Sequence, residues 1–368
     1  MPRSRLSLFS LSFLLGGVWT AEALPSHAQA VPALSIVAES DGMVWNAVAV
    51  DGARVFVAGP RWISGKGPAV AKLNGAGHPI AYPGERWNSW RPAADPAAVF
   101  VSVNAIHLDG RGGLWAIDTG TPGFGEDPLP GAPKAVRIEL ASGRVERIYR
   151  FGPDVALPGS YIDDIRFHGD HAYLTDAGRP GLIVLNLTSG AARRVLDGVP
   201  AVTAPDDRPI ILDGEVLRGP DGTPVKVNAD PLEVSPDGQL LYFGTLHGPW
   251  YRIETRLLDD PNVSADALLA AVEPWADLPP VGGTVMDRDG NLYFTDLAAN
   301  AVKRRSPDGS ITTVVQDSRL HWIDAPILAD GTLWLPVPQI DRAALFHGGV
   351  SRIAWPVRLY RFPVEAAD

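Results

Sequence analysis

The chain has 368 residues, 46% of them hydrophobic, and a formal net charge of −10. That is enough apolar material for a large core, and the acidic balance argues against nucleic acid or an anionic membrane surface as a partner. With no cysteine, neither a disulfide framework nor thiolate chemistry is available, while 38 Gly and 34 Pro suit many tight turns and little helix.

The first residues read as a secretory signal peptide over 1–28. Arg3 and Arg5 precede an apolar run over 6–19, and small-residue sites follow, with cleavage expected after Ala28 or Ala30. Export to the periplasm or the extracellular space is the expectation. Ser4 separates the two arginines, which favours the general secretory route. Loss of the leader removes two Arg and one Glu and moves the net charge to −11. No later apolar run approaches the roughly 18 residues of a membrane span, so none is expected in the mature chain.

Next comes a lone strand over 33–39 (ALSIVAE), and then one two-strand phrase repeated six times. The copies are WNAVAVDGARVFVAG from Trp45, VNAIHLDGRGGLWAIDTG from Val103, YIDDIRFHGDHAYLTDAG from Tyr161, PLEVSPDGQLLYFGT from Pro231, GTVMDRDGNLYFTD from Gly283 and DAPILADGTLWLPV from Asp324. Each is an apolar strand, a turn marked in five copies by Asp-Gly, and a second strand centred on Phe56, Trp115, Tyr173, Tyr242, Tyr293 or Trp334. Repeats of this size with about four short strands apiece are propeller blades. The predicted fold is all-β, a single six-bladed β-propeller over 31–366.

Strands at 135–140, 181–187, 301–306 and 357–364 read as third strands of their blades. The sixth blade then lacks an outer strand, which the N-terminal strand can supply, closing the ring. A long loop at 120–134 follows the second strand of blade 2. Turn signals over 208–227 predict an extra hairpin between blades 3 and 4, and Ser264 is the N-cap of the one expected helix.

In each hairpin the start of the first strand and the finish of the second lie at the end opposite the turn, so both sets should gather at one mouth of the central channel. Asn46, Asn104, Asp163 and Thr284 occupy equivalent starts, with Asp164 and Asp324 one place away. Asp118, Asp176 and Asp296 stand among the finishes. Such an oxygen-rich ring could hold a hard cation such as calcium, work as acid–base pairs, or bind a cationic small molecule. Asp at a strand end also commonly braces neighbouring backbone, which is the stronger reading for Asp118, Asp176 and Asp296. His247 and His347, in Gly-flanked loops, are candidate general bases, whereas His107 reads as core. Trp322, with Trp62, Trp87, Trp90, Trp250 and Trp275, falls in loops or strand ends where a flat ligand could be sandwiched. No serine-hydrolase elbow, zinc-protease helix or phosphate loop is present.

VFVAGPRW (55–62), SVNAIHLDGRGGLWAIDTG (102–120), DDIRFHGDHAYLTDAG (163–178), SPDGQLLYF (235–243), GNLYFTDLAANAVKR (290–304) and DSRLHWIDAPILADGTLWL (317–335) together resemble the Yellow / major royal jelly protein family, in its bacterial, dopachrome-tautomerase-related type. The last two blades are equally similar to gluconolactonase and senescence-marker propellers. The first resemblance implies a secreted six-bladed propeller with a ligand site at the channel mouth; insect members are linked to dopachrome rearrangement, aromatic-amine binding, or no known catalysis. Lacking cysteine, this chain cannot form their disulfides. The lactonase likeness implies calcium held by Asn46, Asn104 and Asp163, although the Glu expected in the first blade's opening strand is missing.

Three functions follow as expectations. One is a tautomerase or lactonase in which Asp163 or Asp164 moves a proton and Asn46 and Asn104 orient substrate or metal. The others are a non-catalytic binder of a small cyclic or aromatic ligand and a protein-interaction scaffold.

Overall fold

Period-two alternation of apolar residues makes each repeat a pair of antiparallel strands, and the chain adds two more to each pair. The computed structural model describes residues 33–364; the leader expected over 1–28 lies outside them. Among the described residues there are six four-stranded antiparallel sheets, arranged as a six-bladed β-propeller, and one two-stranded hairpin. Blade 1 runs Ala47–Asp51, Arg54–Ala58, Val70–Leu73 and Pro79–Ala81, and blades 2 to 5 follow the same inner-to-outer order. The predicted extra hairpin is Ile211–Leu212 with Glu215–Val216. Ser264 accepts from the Ala267 N–H and caps helix Ala265–Ala270, with two shorter helices elsewhere. No helix of the described residues is long and apolar enough to cross a membrane.

Blade 6 closes the ring as expected. Its order is Ile327–Ala329, Thr332–Val337, Val357–Pro363 and then the N-terminal strand Ser35–Ser40, which pairs with the third strand from Ser35↔Arg361 to Ser40↔Val357. The core lies between blades. Phe56, Phe100 and Leu114 join blades 1 and 2, and Trp115 stacks on Tyr149 at 5.2 Å between the sheets of blades 2 and 3. Each fully buried side chain of this size contributes about 2–3 kcal/mol.

The feature that builds the site is a break in register near the start of the inner strand. Asn104 in blade 2, Asp163 and Asp164 in blade 3, Asp230 and Pro231 in blade 4, and Gly282 and Gly283 in blade 5 all fall where the ladder slips. A bulge of this kind re-aims side chains out of the sheet's alternation. Two threonines hold it. Thr175 Oγ1 accepts from the Asp164 N–H and donates to the Asp230 carbonyl of the next blade. Thr295 Oγ1 does the same between the Gly283 N–H and the Ile323 carbonyl.

Chain closure predicts the effect of truncation. Deleting residues 33–41 removes the N-terminal pairing and exposes a sheet edge. At about 1 kcal/mol for each lost ladder bond, urea unfolding should show a loss of several kcal/mol and a new tendency to aggregate; an unchanged midpoint would mean that the strand does not close the ring.

Candidate functional site

Three of the bulged residues, Asn104, Asp163 and Asp230, meet Asn46 and Asp324 around a partly open chamber of about 50 Å³ at the channel mouth. Its walls and roof are apolar: Trp62, Tyr161 and Trp322, then Phe124 from the blade 2 loop and Phe346 from the segment between the second and third strands of blade 6. At about 10–15 Å³ per water, the chamber holds roughly four. An outer cavity of about 580 Å³ shares Phe124, Val225 and Phe346 with it, so these side chains separate the two spaces.

Every donor group lining the chamber already serves a protein acceptor. Trp62 Nε1 donates to Tyr161 Oη at 3.0 Å, Tyr161 Oη to Asn104 Oδ1 at 2.9 Å, and Asn104 Nδ2 to Asp163 Oδ1. Asn46 Nδ2 donates to the Asn104 carbonyl at 3.2 Å, and Trp322 Nε1 to Asp324 Oδ2 at 3.2 Å. Acceptors are in surplus. Among the described residues, Asn46 Oδ1, on a residue that is 1% exposed, has no partner, and no Lys, Arg or His lines the chamber.

Burial without counter-charge sets the titration behaviour. Burial raises Asp163 and Asp230 well above the usual carboxylate range, reinforced by the neighbouring carboxylates. Asp324 is pushed up to about 7, chiefly by burial and against the opposing pull of the Trp322 and Ala325 N–H groups. Burial, then the Asp163 charge, raises Tyr161 so that it stays a neutral phenol. Trp322 itself adopts φ 54°, a left-handed backbone that costs a bulky residue on the order of 1 kcal/mol or more.

Asn46, Asn104, Asp163, Asp324, Trp322 and Trp62, all singled out by sequence, come together here, and the others do not. Asp164 lies deeper, paired at 2.7 Å with Arg166, whose other face grips Glu233 at 2.8 and 3.0 Å. Thr284 donates to Glu233 Oε1, because the bulge shifts its strand and leaves Gly282 and Gly283 at the ring position. A Cβ at Gly282 would meet the Ile323 carbonyl oxygen at 2.4 Å, so blade 5 adds no side chain to the ring. Asp118 accepts from the Val101 and Ser102 N–H groups and from a fully buried Lys134; Asp176 accepts from the Tyr161 N–H and Arg194; Asp296 pairs with Lys303. All three brace blades outside the chamber. His247 donates Nδ1 to the Arg208 carbonyl and accepts the Val227 N–H at Nε2, so neither nitrogen is free for base chemistry, and burial lowers its pKa.

Asp230, Tyr161, Phe124 and Phe346 are additions. Asp230 sits one residue before the point where the fourth repeat becomes recognisable, Tyr161 opens the third repeat, and Phe124 and Phe346 come from loops without a repeat signal.

The residues expected to hold calcium do not suit a cation as arranged. Asn104 turns its nitrogen to Asp163, and Asn46 turns its nitrogen to Asn104. Among the described residues no three His, Asp or Glu side chains converge as metal ligands, whereas calcium takes six to eight oxygens.

Comparison with known proteins adds a family. A family model described as major royal jelly protein matches residues 101–328. Protein yellow of Drosophila subobscura is 32% identical over 121 residues, 31% of this chain and 21% of that protein; the Drosophila melanogaster protein is 31% identical over the same length, 31% of this chain and 22% of its own. The chain thus spans about a fifth of the length of these curated relatives. Among solved structures, virginiamycin B lyase from Staphylococcus aureus superposes with TM-score 0.53 at 12% identity, covering 91% of this chain and all of the other. A gluconolactonase from Xanthomonas campestris superposes with TM-score 0.52 at 14% identity, covering 91% and 90%. At such identities the likeness is one of fold.

Asp324 yields a stability prediction with a definite sign. Its folded pKa lies above its unfolded one, so its contribution is fully present below about pH 4 and declines as pH rises, being gone once pH passes about 7. Unfolding titrations across that window should show wild type losing on the order of a few kcal/mol more than Asp324→Asn. Parallel curves for the two proteins would contradict the assignment.

Proposed function

Because the chain belongs to the major royal jelly protein family, we propose that it is an exported propeller that binds a small cyclic or aromatic molecule at the channel mouth and isomerises it by proton transfer, as a tautomerase. The observation that carries this reading is the set of three carboxyls, Asp163, Asp230 and Asp324, gathered in one chamber beneath aromatic walls with their pKa values raised by burial. Such a set, partly protonated, provides a base and an acid side by side, with pKa values drawn toward neutrality by burial. One removes a proton from the substrate and the other returns one to a second atom. The substrate's bonds are rearranged with no oxidant, reductant or leaving group. The aromatic walls limit the water that can compete.

The chamber's surplus of acceptors supports a substrate that itself donates, through an N–H, O–H or ammonium group. A metal-assisted lactonase finds less support, since a lactone carbonyl needs a donor or a cation and the amide side chains are turned the wrong way for one. The unpartnered Asn46 Oδ1 equally favours a second reading, a non-catalytic receptor for a small amine. Export rests on the N-terminal Arg and apolar run of the sequence.

The two readings part on turnover. Aminochromes and cyclic keto–enol compounds, followed by absorbance, should be isomerised by wild type, with chelator making no difference. Asp163→Asn should lower kcat by about 100-fold or more while ligand still raises the melting temperature. Ligand-induced stabilisation without product in wild type would favour the receptor, and loss of activity on chelation would revive the metal-dependent reading.

A further inference from the structure

The carboxyl chamber is too small to hold a ring. Benzene fills an apolar cavity of about 150 Å³, whereas the chamber offers about 50 Å³, room for roughly four heavy atoms. A flat molecule cannot lie wholly among the carboxyls, so its ring has to rest elsewhere.

Two larger spaces adjoin the chamber. One, of about 330 Å³, meets it at Leu217 and Phe346 and is walled by Asp213, Glu215, Arg218, Asp341, Arg342 and Arg352. A ring placed there would take water from charged groups and return no hydrogen bond. The outer cavity of about 580 Å³ is different. Pro205, Pro209, Pro220 and Pro224 line it together with Leu345, and the fixed φ of the prolines makes these apolar walls stiff. Its charged groups are already engaged. Arg208 donates to the His247 and Leu278 carbonyls and to Asp277, Lys226 pairs with Asp206, and Asp221 accepts from Thr223.

The passage between outer cavity and chamber is made of side chains that the chamber wall holds in place. Phe124 packs on Trp62 at 5.7 Å and on Tyr161 at 5.3 Å between ring centroids, and Phe346 meets Trp62 edge-on at 6.4 Å. Val225 completes the three residues common to both spaces. We propose that the outer cavity is the ring compartment of the site, and that the reacting group is a short side chain passed between Phe124, Val225 and Phe346 into the chamber. The substrate class is then a neutral aromatic ring bearing an enolisable side chain of about four heavy atoms, such as an aryl-substituted acetone. A carboxylate removes the C–H proton beside the carbonyl. The C–H electron pair becomes the C=C bond, the C=O π pair moves to oxygen, and a carboxyl supplies the proton that completes the enol. A side chain ending in an anion would meet three carboxyls and be rejected. This rests on the proton-transfer reading of the chamber, and adds where the ring lies and which bond reacts.

The experiment follows deuterium uptake from heavy water by proton NMR, with phenylacetone, acetone and cyclohexanone as probes, each compared with its uncatalysed exchange. Acetone fits the chamber but has no ring, and cyclohexanone carries its enolisable carbons within the ring. The enhancement in kcat/KM for phenylacetone should exceed that for either other ketone by about 30-fold, the gain expected from burying a phenyl ring. Val225→Trp fills the passage and should cut the phenylacetone-to-acetone ratio by about 10-fold. Phe346→Ala widens the passage and should raise cyclohexanone relative to phenylacetone, and it serves if Val225→Trp does not fold.

Equal enhancement for the three ketones, or ratios unmoved in the folded variants, overturns the proposal. Exchange that favours cyclohexanone would keep proton transfer and reject the ring compartment. If no ketone exchanges, calorimetry with 1-phenyl-2-propanol and 2-propanol separates the two ideas. Ring-dependent affinity that the folded variants alter would refute the tautomerase reading and leave the compartment standing, and affinity without ring dependence would refute both.

Discussion

Three carboxyl groups, Asp163 buried and Asp230 and Asp324 half-buried, line one channel mouth, and among the described residues no basic side chain lines it with them. Such a ring cannot stay fully ionised, because desolvated like charges repel and nothing nearby offsets them. It must hold protons or attract a cation. One layer deeper the same channel solves the problem differently, for Asp164 and Glu233 both clasp Arg166, whose positive charge sits between them. The contrast separates a structural plug from a reactive chamber: below, every charge has its partner, and above, the ring is left short of positive charge.

What creates this ring is local backbone geometry more than any motif. Regular alternation would send these side chains into the blade interfaces. The register break at the start of the inner strands turns Asn104, Asp163 and Asp230 toward the axis, and the threonines of two Thr-Asp pairs stitch the breaks to the following blade. The aspartates of those pairs take up neighbouring N–H groups and a Lys or Arg. Bracing and chemistry are therefore assigned to adjacent residues of one repeated phrase. Ring closure by the N-terminal strand holds all six blades at fixed spacing, so the chamber's dimensions follow from the whole chain.

The architecture was legible because it is written six times: aromatic-centred strands, Asp-Gly turns and an unpaired first strand together leave little choice. The site was legible only in part. Asn46, Asn104, Asp163 and Asp324 could be placed by counting from the turns, since strands keep their phase over five or six residues. The same counting misplaced Thr284 and missed Asp230, because a bulge adds a residue that no alternation pattern reveals. His247 looked free by position, yet both ring nitrogens are consumed by loop backbone. Phe124 and Phe346 arrive from loops whose course depends on tertiary packing, and nothing periodic announces them.

The central claim is that the chamber stores positive charge as protons that an incoming donor replaces. Its most direct test is the proton balance of binding, measured by calorimetry of the protein with phenethylamine at neutral pH in buffers of different ionisation enthalpy. Replacement of a stored proton by the ammonium predicts release of about one proton per ligand bound, and an uncharged alcohol of the same shape should bind more weakly and release none. Equal binding of amine and alcohol, or amine binding with no proton exchanged, would contradict the account.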